Sequence, residues 1–267
     1  MTYQSSMKEN PIKELLLFYK EIGADFVEMD RRFVLKDNTK KHENKQENRQ
    51  INKQTKRVLV NEKTFVPNNV LNKSQEINDS IEKINNEIFK CNLCPLHNTK
   101  NNFVPGEGSL NPSIMFIGEG PGEQEDNSGK PFVGDAGLLL DKIIEKMGYN
   151  RKLIYIANIV KCRPPRNRTP LVAEAKACLP YLKRQIAVLK PKVIVCLGKT
   201  ATNYLLGKDF SITRVRGKKF EYNNIPVIPT FHPSYILHQR TKETISKAKW
   251  EVWSDMEKAL SIVKTII

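Results

Sequence analysis

A short apolar segment followed by a glycine-rich, acidic turn constrains the fold of this 267-residue chain more than any other feature. Residues 113–117 read Ser-Ile-Met-Phe-Ile, which has the length and composition of a buried strand, and the run stops at Gly118. From there to Glu123 the sequence is Gly-Glu-Gly-Pro-Gly-Glu. Glycine lets the backbone turn sharply and approach a ligand closely. The sequence therefore predicts a strand that ends in an exposed, ligand-binding turn.

Carboxylates crowd this turn, at Glu119, Glu123, Glu125 and Asp126. They would repel a phosphate group, and a loop that binds phosphate usually brings a lysine or a bare helix N-terminus. A neutral guest that forms hydrogen bonds, such as a nucleic-acid base, fits the turn better.

Strand-like and helix-like segments alternate along the chain after residue 80. Apolar runs occur at 113–118, 153–160, 193–197 and 225–228, and helical stripes at 81–89, 138–147, 171–189, 200–205 and 250–262. This alternation predicts a parallel sheet covered by helices, with ligands bound at the carboxyl edge of the strands. Glu119, Asn158 and His232 each follow the end of a predicted strand, so we expect them to meet at one cleft.

The charge balance favours a polyanionic partner, either nucleic acid or an anionic membrane surface. Lys and Arg total 44 against 29 Asp and Glu, a formal net charge of +15, and residues 83–267 hold 29 of the basic and 16 of the acidic side chains. No stretch approaches the roughly 20 apolar residues of a membrane span, and the N-terminus lacks an apolar signal core. We therefore expect a cytoplasmic protein without a membrane partner.

The chain divides by composition into three parts. Residues 1–35 contain a short helical segment of unknown role, and residues 36–80 form a polar linker rich in Lys, Asn, Gln and Glu that we expect to be disordered. Residues 81–267 form the folded domain. We expect a monomer in which the N-terminal helix is a candidate docking element for an unidentified protein partner, with the linker acting as a tether.

Five cysteines in a chain without a secretory signal are expected to be thiols or metal ligands rather than disulfides. Cys91 and Cys94 form a Cys-x2-Cys pair before a proline, and Cys162 and Cys178 follow singly. Their spacing suits zinc and a four-iron cluster equally well, and four unrelated core cysteines is the third interpretation. Cys196 lies inside a strand-like run and is expected to be a core thiol.

Four motifs in order resemble the family 4 uracil-DNA glycosylases, the iron-sulfur branch of that superfamily. They are Gly-Glu-Gly-Pro-Gly-Glu at 118–123, Pro-Phe-Val-Gly at 131–134, Asn-Ile-Val-Lys-Cys-Arg-Pro-Pro at 158–165 and His-Pro-Ser-Tyr at 232–235. The resemblance covers about residues 84–267. It implies a three-layer α/β/α sandwich with a four-stranded, mainly parallel central sheet, and an enzyme that hydrolyses the N-glycosidic bond of uracil in DNA to leave an abasic site.

The resemblance also implies roles for individual residues. Excision requires the uracil nucleotide to flip out of the stack. Phe132 would stack on the ring, Asn158 would read its polar edge, and His232 would stabilise the leaving uracil anion. Glu119 or Glu125 would assist the attacking water, or the sugar cation would be captured with little help from a base. The implied uracil-binding set is Gly118, Glu119, Gly120, Glu125, Phe132, Asn158 and His232, with His232 and Glu119 catalytic.

The same resemblance implies that the ligands of a four-iron, four-sulfur cluster are Cys91, Cys94, Cys162 and Cys178. Zinc is the alternative on spacing alone. Basic side chains beside these cysteines are expected to neutralise DNA phosphates, namely Lys161, Arg163, Arg166 and Arg168. Ile236 and Leu237 follow His232 closely. They are expected either to enter the gap left by the flipped base or to pack in the core.

Two other functions remain alternatives to a glycosylase. One is a catalytically weak protein of the same fold that grips uracil-containing DNA without turnover. The other is a zinc-stabilised nucleic-acid-binding protein that acts as a replication or repair accessory. A relative that crosslinks itself to DNA carries an inserted Lys-Arg-Arg-Ile-His loop, and this chain has no such insert, which favours turnover.

Overall fold

The structure is a computed structural model that describes residues 79–265. The predictions for residues 1–35 and for nearly all of the 36–80 linker concern residues outside this range. Within it, one sheet carries helices on both of its faces.

The sheet has six strands in the order β1-β3-β2-β4-β6-β5. They are β1 (Glu107–Gly108), β2 (Ile114–Gly118), β3 (Tyr155–Asn158), β4 (Val193–Leu197), β5 (Phe220–Tyr222) and β6 (Ile225–Thr230). The four central strands β3, β2, β4 and β6 are mutually parallel, and β1 and β5 pair with them antiparallel at the two edges. The predicted four-stranded parallel sheet is thus the centre of a six-stranded mixed sheet. The edge strands span only two and three residues, too short to produce an apolar run.

Eight α-helices are assigned within residues 79–265. They are α1 (Ile81–Ile88), α2 (Glu123–Ser128), α3 (Asp135–Lys146), α4 (Val172–Leu189), α5 (Lys199–Leu206), α6 (Ile212–Val215), α7 (Pro233–Leu237) and α8 (Lys242–Thr265). Single turns of 3-10 helix occur at Pro95–Asn98 and Pro165–Asn167. None of the helices within residues 79–265 is both long and apolar enough to cross a bilayer.

The central strands are buried on both faces, because successive side chains point to opposite sides of the sheet. In β2, Met115 and Ile117 pack with α1, α4 and α5, whereas Ile114 and Phe116 pack with α3, α7 and α8. These two cores give the three layers that the sequence predicts. The continuous apolar run of β2 follows from burial on both sides.

Helix α1, which leads to the Cys-x2-Cys pair, is fixed to α4 by an arginine. The guanidinium of Arg184 binds the carboxylates of Asp79 and Glu87, with Nη2 at 2.8 Å from both Asp79 Oδ1 and Glu87 Oε1. Ser80 caps α1 by accepting a hydrogen bond from the backbone N–H of Lys83. The chain therefore enters the cysteine-bearing segment from a defined position.

Candidate functional site

The ends of the parallel strands bring distant residues of the chain to one edge of the sheet. Gly118 and Asn158 are partners across β2 and β3, at the last residue of each strand. Strand β6 ends at Thr230, and His232 lies two residues beyond it. A Cβ atom on Gly198, just after β4, would lie 3.3 Å from His232 Cβ. Neighbouring strands thus deliver Asn158, Gly118 and His232 to the same edge.

Gly118, Phe132, Asn158 and His232 lie next to one another at this edge of the sheet, and we call this cluster the edge pocket. A Cβ atom on Gly118 would lie 2.4 Å from Asn158 Oδ1 and 2.5 Å from Phe132 Cζ, so only glycine leaves room for both side chains. The rings of Phe132 and His232 have centroids 5.6 Å apart and an interplanar angle of 35°. Four residues predicted to bind the guest are therefore neighbours in the structure.

Asn158 brings an unpaired acceptor to this pocket. Its residue is 1% exposed, and within residues 79–265 its Oδ1 has no hydrogen-bond partner. Burying a polar atom without a partner is unfavourable, so such atoms are rare in folded proteins and mark sites where a ligand or water completes the bond. The free acceptor suits an N–H group of a bound guest.

His232 presents a neutral imidazole with a defined proton. Its Nδ1 accepts a hydrogen bond from the backbone N–H of Ser234 at 3.2 Å and lies 2.7 Å from Ser234 Oγ. The proton of the neutral ring is therefore on Nε2. Burial lowers the pKa of His232 to about 4, although the nearby Glu125 carboxylate acts in the opposite direction. At neutral pH the ring is an uncharged hydrogen-bond donor.

Phe132 is held in an unusual backbone conformation. Its φ of 52° lies in the left-handed region, which costs a residue other than glycine about 1–3 kcal/mol. Directly after it, the backbone N–H groups of Val133 and Gly134 donate to Glu125 Oε1 at 2.8 and 2.9 Å. The other oxygen of Glu125 accepts from Gly122 at 3.0 Å. Glu125 thus ties the turn after Phe132 to the glycine-rich turn through its backbone.

Glu119 and Gly120 occupy the turn between these elements. The backbone oxygen of Glu119 accepts a hydrogen bond from Val160 N–H at 3.2 Å. Glu119 is half-buried, and its negative charge adds to the effect of burial in raising the pKa of the Tyr204 hydroxyl. A Cβ atom on Gly120 would lie 2.7 Å from Val160 Cγ2, so the turn packs tightly against the segment after β3. Of the two candidate acids, Glu125 uses both carboxylate oxygens to accept backbone hydrogen bonds. The carboxylate of Glu119 takes no part in these bonds.

A second pocket, the cysteine pocket, is lined by Cys91, Cys94, Cys162 and Cys178 with mostly apolar neighbours that include Phe103. Burial raises the pKa of the Cys162 thiol to about 12 and that of Cys178 to about 11. These thiols stay protonated at neutral pH unless a positively charged group displaces the protons. Among residues 79–265, no three His, Cys, Asp or Glu side chains are placed to hold one metal ion.

The fifth cysteine is separate from this pocket. Cys196 lies within β4, is completely buried, and does not line the cysteine pocket. Its packing agrees with the prediction of a core thiol.

Lys161 connects the two pockets instead of reaching solvent. Its residue is 1% exposed, and its Nζ donates to Asn158 O at 2.9 Å and to Gln185 Oε1 at 2.8 Å. Its backbone N–H donates to Cys178 Sγ at 3.3 Å. This burial does not favour the predicted contact of Lys161 with a DNA phosphate, because two buried acceptors hold the ammonium in the core.

The segment after β3 that contains Lys161, Arg163, Arg166 and Arg168, here called the basic loop, exposes its three arginines to different degrees. Arg163 donates to Asn167 Oδ1 at 2.8 Å, and Arg168 makes a two-pronged ion pair with the buried Glu174 at 2.6 and 2.8 Å. Arg166 is exposed and has a left-handed φ of 54°. Arg163 and Arg168 are thus held by side-chain partners inside and outside the loop, and Arg166 is the most accessible of its arginines.

The two apolar residues after His232 separate clearly. Ile236 is 4% exposed and packs in the core shared with α8, which agrees with the packing alternative of the prediction. Leu237 is 47% exposed at the end of α7. Only Leu237 of the pair is accessible to a partner.

Several residues that build these pockets carry no motif in the sequence. Gln185 accepts from Lys161, and its own Nε2 donates to Pro105 O at 2.9 Å. Arg151 donates to the backbone oxygen of Phe132 at 2.8 Å. Ser234 belongs to the His-Pro-Ser-Tyr motif, so that its contact with the imidazole has a signal in the sequence; Arg151 and Gln185 have none.

Comparison with known proteins gives a consistent result. Residues 105–257 match the family model described as the uracil DNA glycosylase superfamily. The chain is 47% identical over 186 residues to a type-4 uracil-DNA glycosylase of Thermotoga maritima, covering 69% of this chain and 95% of that protein. A type-4 enzyme of Sulfurisphaera tokodaii is 48% identical over 60% of this chain and 77% of its own length.

A third relative, the type-4 uracil-DNA glycosylase of Saccharolobus solfataricus, is 45% identical over 68% of this chain and 88% of its own length. The region matched by the family model contains the edge pocket together with Cys162 and Cys178 of the cysteine pocket, and the family named by the relatives agrees with the motifs that form the edge pocket. The chain belongs to the uracil-DNA glycosylase superfamily, in its type-4 branch.

Proposed function

We propose that this protein is a monofunctional uracil-DNA glycosylase of base excision repair, which hydrolyses the N-glycosidic bond of a flipped deoxyuridine and leaves an abasic site. The observation that carries this proposal is the unpaired Oδ1 of buried Asn158, placed beside an aromatic ring and a neutral imidazole. In this proposal the amide recognises the pyrimidine, the aromatic ring stacks on it, and the imidazole stabilises it as the glycosidic bond breaks.

Asn158 accounts for the choice of base. Uracil N3–H donates to Oδ1, while the amide nitrogen of the same side chain donates to uracil O4. Cytosine presents an acceptor at N3 and a donor at N4, so both bonds would be replaced by repulsive pairs. Phe132 closes the pocket by stacking on the ring, as enzymes that flip bases commonly require.

His232 accounts for the departure of the base. As the glycosidic bond breaks, negative charge grows on the uracil, and the Nε2–H of the neutral imidazole donates to uracil O2. A preorganised donor of this kind is worth about 10²–10³-fold in rate. Ser234 fixes the ring so that Nε2 is the protonated nitrogen.

Glu119 is the acid that we assign to the water. Its carboxylate stands in the turn after β2, whereas the carboxylate of Glu125 already binds three backbone N–H groups. Glu125 therefore supports the turn on which Phe132 sits, and Glu119 orients the water that captures the sugar cation.

The cysteine pocket suits a four-iron, four-sulfur cluster. Four thiols line one largely apolar pocket, and a backbone N–H already donates to one of the sulfurs. Four thiolates suit zinc as well, and the similarity to the type-4 enzymes, the iron-sulfur branch of the superfamily, favours the cluster. Bound there, the cluster would hold together the segments around Cys91, Cys162 and Cys178.

Contacts with DNA are assigned to accessible groups near the edge pocket. Arg166, with Arg163 and Arg168 beside it, neutralises phosphates, and Leu237 fills the gap left by the flipped nucleotide. Uracil-containing DNA is the partner, and such a repair role suits a monomer in the cytoplasm.

Two measurements test this function. The protein is incubated with an oligonucleotide that holds one uracil, and alkali-labile sites are counted; we expect strand cleavage at the uracil and none in the matched cytosine or thymine oligonucleotides. Iron and zinc are measured on the same preparation, with about four irons per chain expected for the cluster. Retention of the uracil oligonucleotide without cleavage would instead favour a binding protein without turnover.

A further inference from the structure

We infer that Arg151 is a positioning residue for uracil recognition, which acts by fixing the backbone that carries Phe132. Its Nη1 donates to Phe132 O at 2.8 Å, and its Nη2 donates to the backbone oxygen of Pro131. Both acceptors belong to the turn that holds the stacking ring. This inference rests on the proposed function and adds a residue to its binding apparatus.

The guanidinium is itself held in place. Nη1 also lies 2.8 Å from Asp141 Oδ1, and both side chains of this ion pair are partly shielded from solvent. Asp141 is on α3, the helix that begins directly after the turn. A planar guanidinium with several fixed donors is suited to grip two carbonyl oxygens and a carboxylate at the same time.

The turn needs such a grip because its geometry is strained. Phe132 has a φ of 52°, a conformation that side-chain-bearing residues disfavour. A Cβ atom on Gly137 would lie 2.0 Å from Phe132 O, so the first turn of α3 packs directly on this peptide. On the other side, Glu125 binds the N–H groups of Val133 and Gly134.

Two opposite charges therefore hold the turn from both directions. Glu125 binds the donors that follow Phe132, and Arg151 binds the acceptors at and before it. Without the guanidinium, the oxygens of Pro131 and Phe132 lose their partner, and the backbone can relax from its left-handed conformation. The ring would then leave the position in which it faces His232 and stacks on uracil.

A double-mutant cycle tests this inference. Arg151→Ala, Phe132→Ala and the double variant are compared with the unaltered protein by single-turnover excision of uracil and by inhibition with free uracil. If Arg151 acts through Phe132, each single change lowers the excision rate and weakens uracil inhibition by ~10–100-fold, because misplacing a positioning group costs about this much. The double variant should then be hardly worse than Phe132→Ala alone.

Matched variants separate positioning from general stability. Lys152→Ala removes the exposed neighbouring cation and should leave excision unchanged. Arg151→Lys keeps the charge beside Asp141 but cannot grip both carbonyl oxygens, so an intermediate rate is expected. Affinity for DNA with a preformed abasic site, where there is no base to stack on, should be the same for all variants.

The inference is overturned if the two single losses multiply in the double variant, since Arg151 would then act independently of Phe132. It is also overturned if Arg151→Ala lowers only the melting temperature and leaves excision and uracil inhibition unchanged. Absence of excision by the unaltered protein would refute the proposed function instead, and the two failures are therefore distinguishable.

Discussion

The edge pocket and the cysteine pocket are each assembled from distant parts of the chain, but they use opposite chemistry. The edge pocket fixes polar atoms: an unpaired amide oxygen, an imidazole with a defined proton and an aromatic ring on a strained backbone. The cysteine pocket is mostly apolar, and burial raises the pKa of the Cys94, Cys162 and Cys178 thiols. The first is shaped before its ligand arrives, whereas the second needs a positively charged group to stabilise its thiolates.

The two pockets should therefore respond differently to substitution, one mainly in activity and the other mainly in stability. Groups of the edge pocket are the ones that we propose to contact uracil, and their loss should change rates more than folding. Groups of the cysteine pocket join segments that are otherwise separate, and their loss should change folding more than rates. The buried Lys161 touches both, through Asn158 O and Cys178 Sγ, and is the residue where the distinction should fail.

The largest effect on rate is expected for His232→Ala. Losing the Nε2–H donor to the leaving uracil should lower single-turnover excision by about 10²–10³-fold while DNA binding stays nearly the same. His238→Ala, which removes an exposed histidine after the same helix, is the control and should excise normally. Equal losses of rate and of DNA affinity would indicate that His232 has a structural role and not a catalytic one.

The largest effect on folding is expected for Cys162→Ala. The variant should lose most of its bound iron, and a loss of ~3 kcal/mol in stability would lower the melting temperature by roughly 6–12 °C. Cys196→Ala is matched in burial and chemistry but lies outside the cysteine pocket, so it should keep its iron. A well-folded Cys162→Ala protein with full iron would contradict this assignment.

Lys161→Met should affect both pockets. The substitution leaves Asn158 O and Gln185 Oε1 without their donor inside the core, at a cost of ~1–3 kcal/mol each. It also removes a contact that holds the end of β3, where the Asn158 amide is located. We expect lower thermal stability and a slower excision rate together, with Lys176→Met on the exposed face of α4 as the control.

The salt dependence of DNA binding by the same variant checks the inward orientation. Removing a phosphate contact would reduce the slope of log affinity against log salt by about one, whereas removing a buried lysine should leave that slope unchanged. Arg166→Ala, which alters an exposed cation of the basic loop, should show the shallower slope. The opposite pattern would restore Lys161 to the DNA interface.

A smaller effect is expected for Leu237→Ala. In the proposed role its exposed side chain fills the gap in a base stack, which exists only in duplex DNA, so excision from duplex DNA should slow several-fold more than excision from single strands. Tyr235→Ala, another exposed side chain on α7, is the comparison variant. Equal slowing on both substrates would argue against a wedge.

Much of the edge pocket could be predicted because its residues follow strand ends within local motifs. Asn158 and His232 each stand after an apolar run, and parallel strands send their carboxyl ends to one edge. The inward turn of Lys161 could not be predicted, since its partner Gln185 is 24 residues away and carries no motif. From composition alone, every basic side chain of this loop is predicted to be exposed to solvent.

The edge strands and the contacts of Arg151 with the backbone around Phe132 could not be predicted from the sequence for similar reasons. Strand β1 spans two half-buried residues, so it exists only through its pairing with β3. Arg151 is an isolated arginine after a helix, and only the folded chain shows that it grips carbonyl oxygens 19 and 20 residues away. Contacts made by single side chains across the fold leave no periodic signal.

The smallest expected effect is on the pH dependence of excision. Burial lowers the pKa of His232 to about 4, so the ring stays neutral well below the usual histidine range near 6.5. We expect kcat/KM for excision to show no histidine inflection between pH 8 and about 5.5. An inflection near 6.5 that disappears in His232→Asn would show that the imidazole is not protected in this way.

Stability should respond over the same range with a definite sign. Below pH 6.5 the unfolded chain takes up a proton at His232, whereas the native ring does so only near pH 4. The contribution of this group is therefore fully present above pH 6.5 and is lost as the pH falls towards 4. Protonating Nδ1 would also set two donors against each other at Ser234 N–H, which breaks the bond that orients the ring. Melting temperatures of the unaltered protein should thus fall faster with acid than those of His232→Asn, and parallel curves would contradict a buried neutral imidazole.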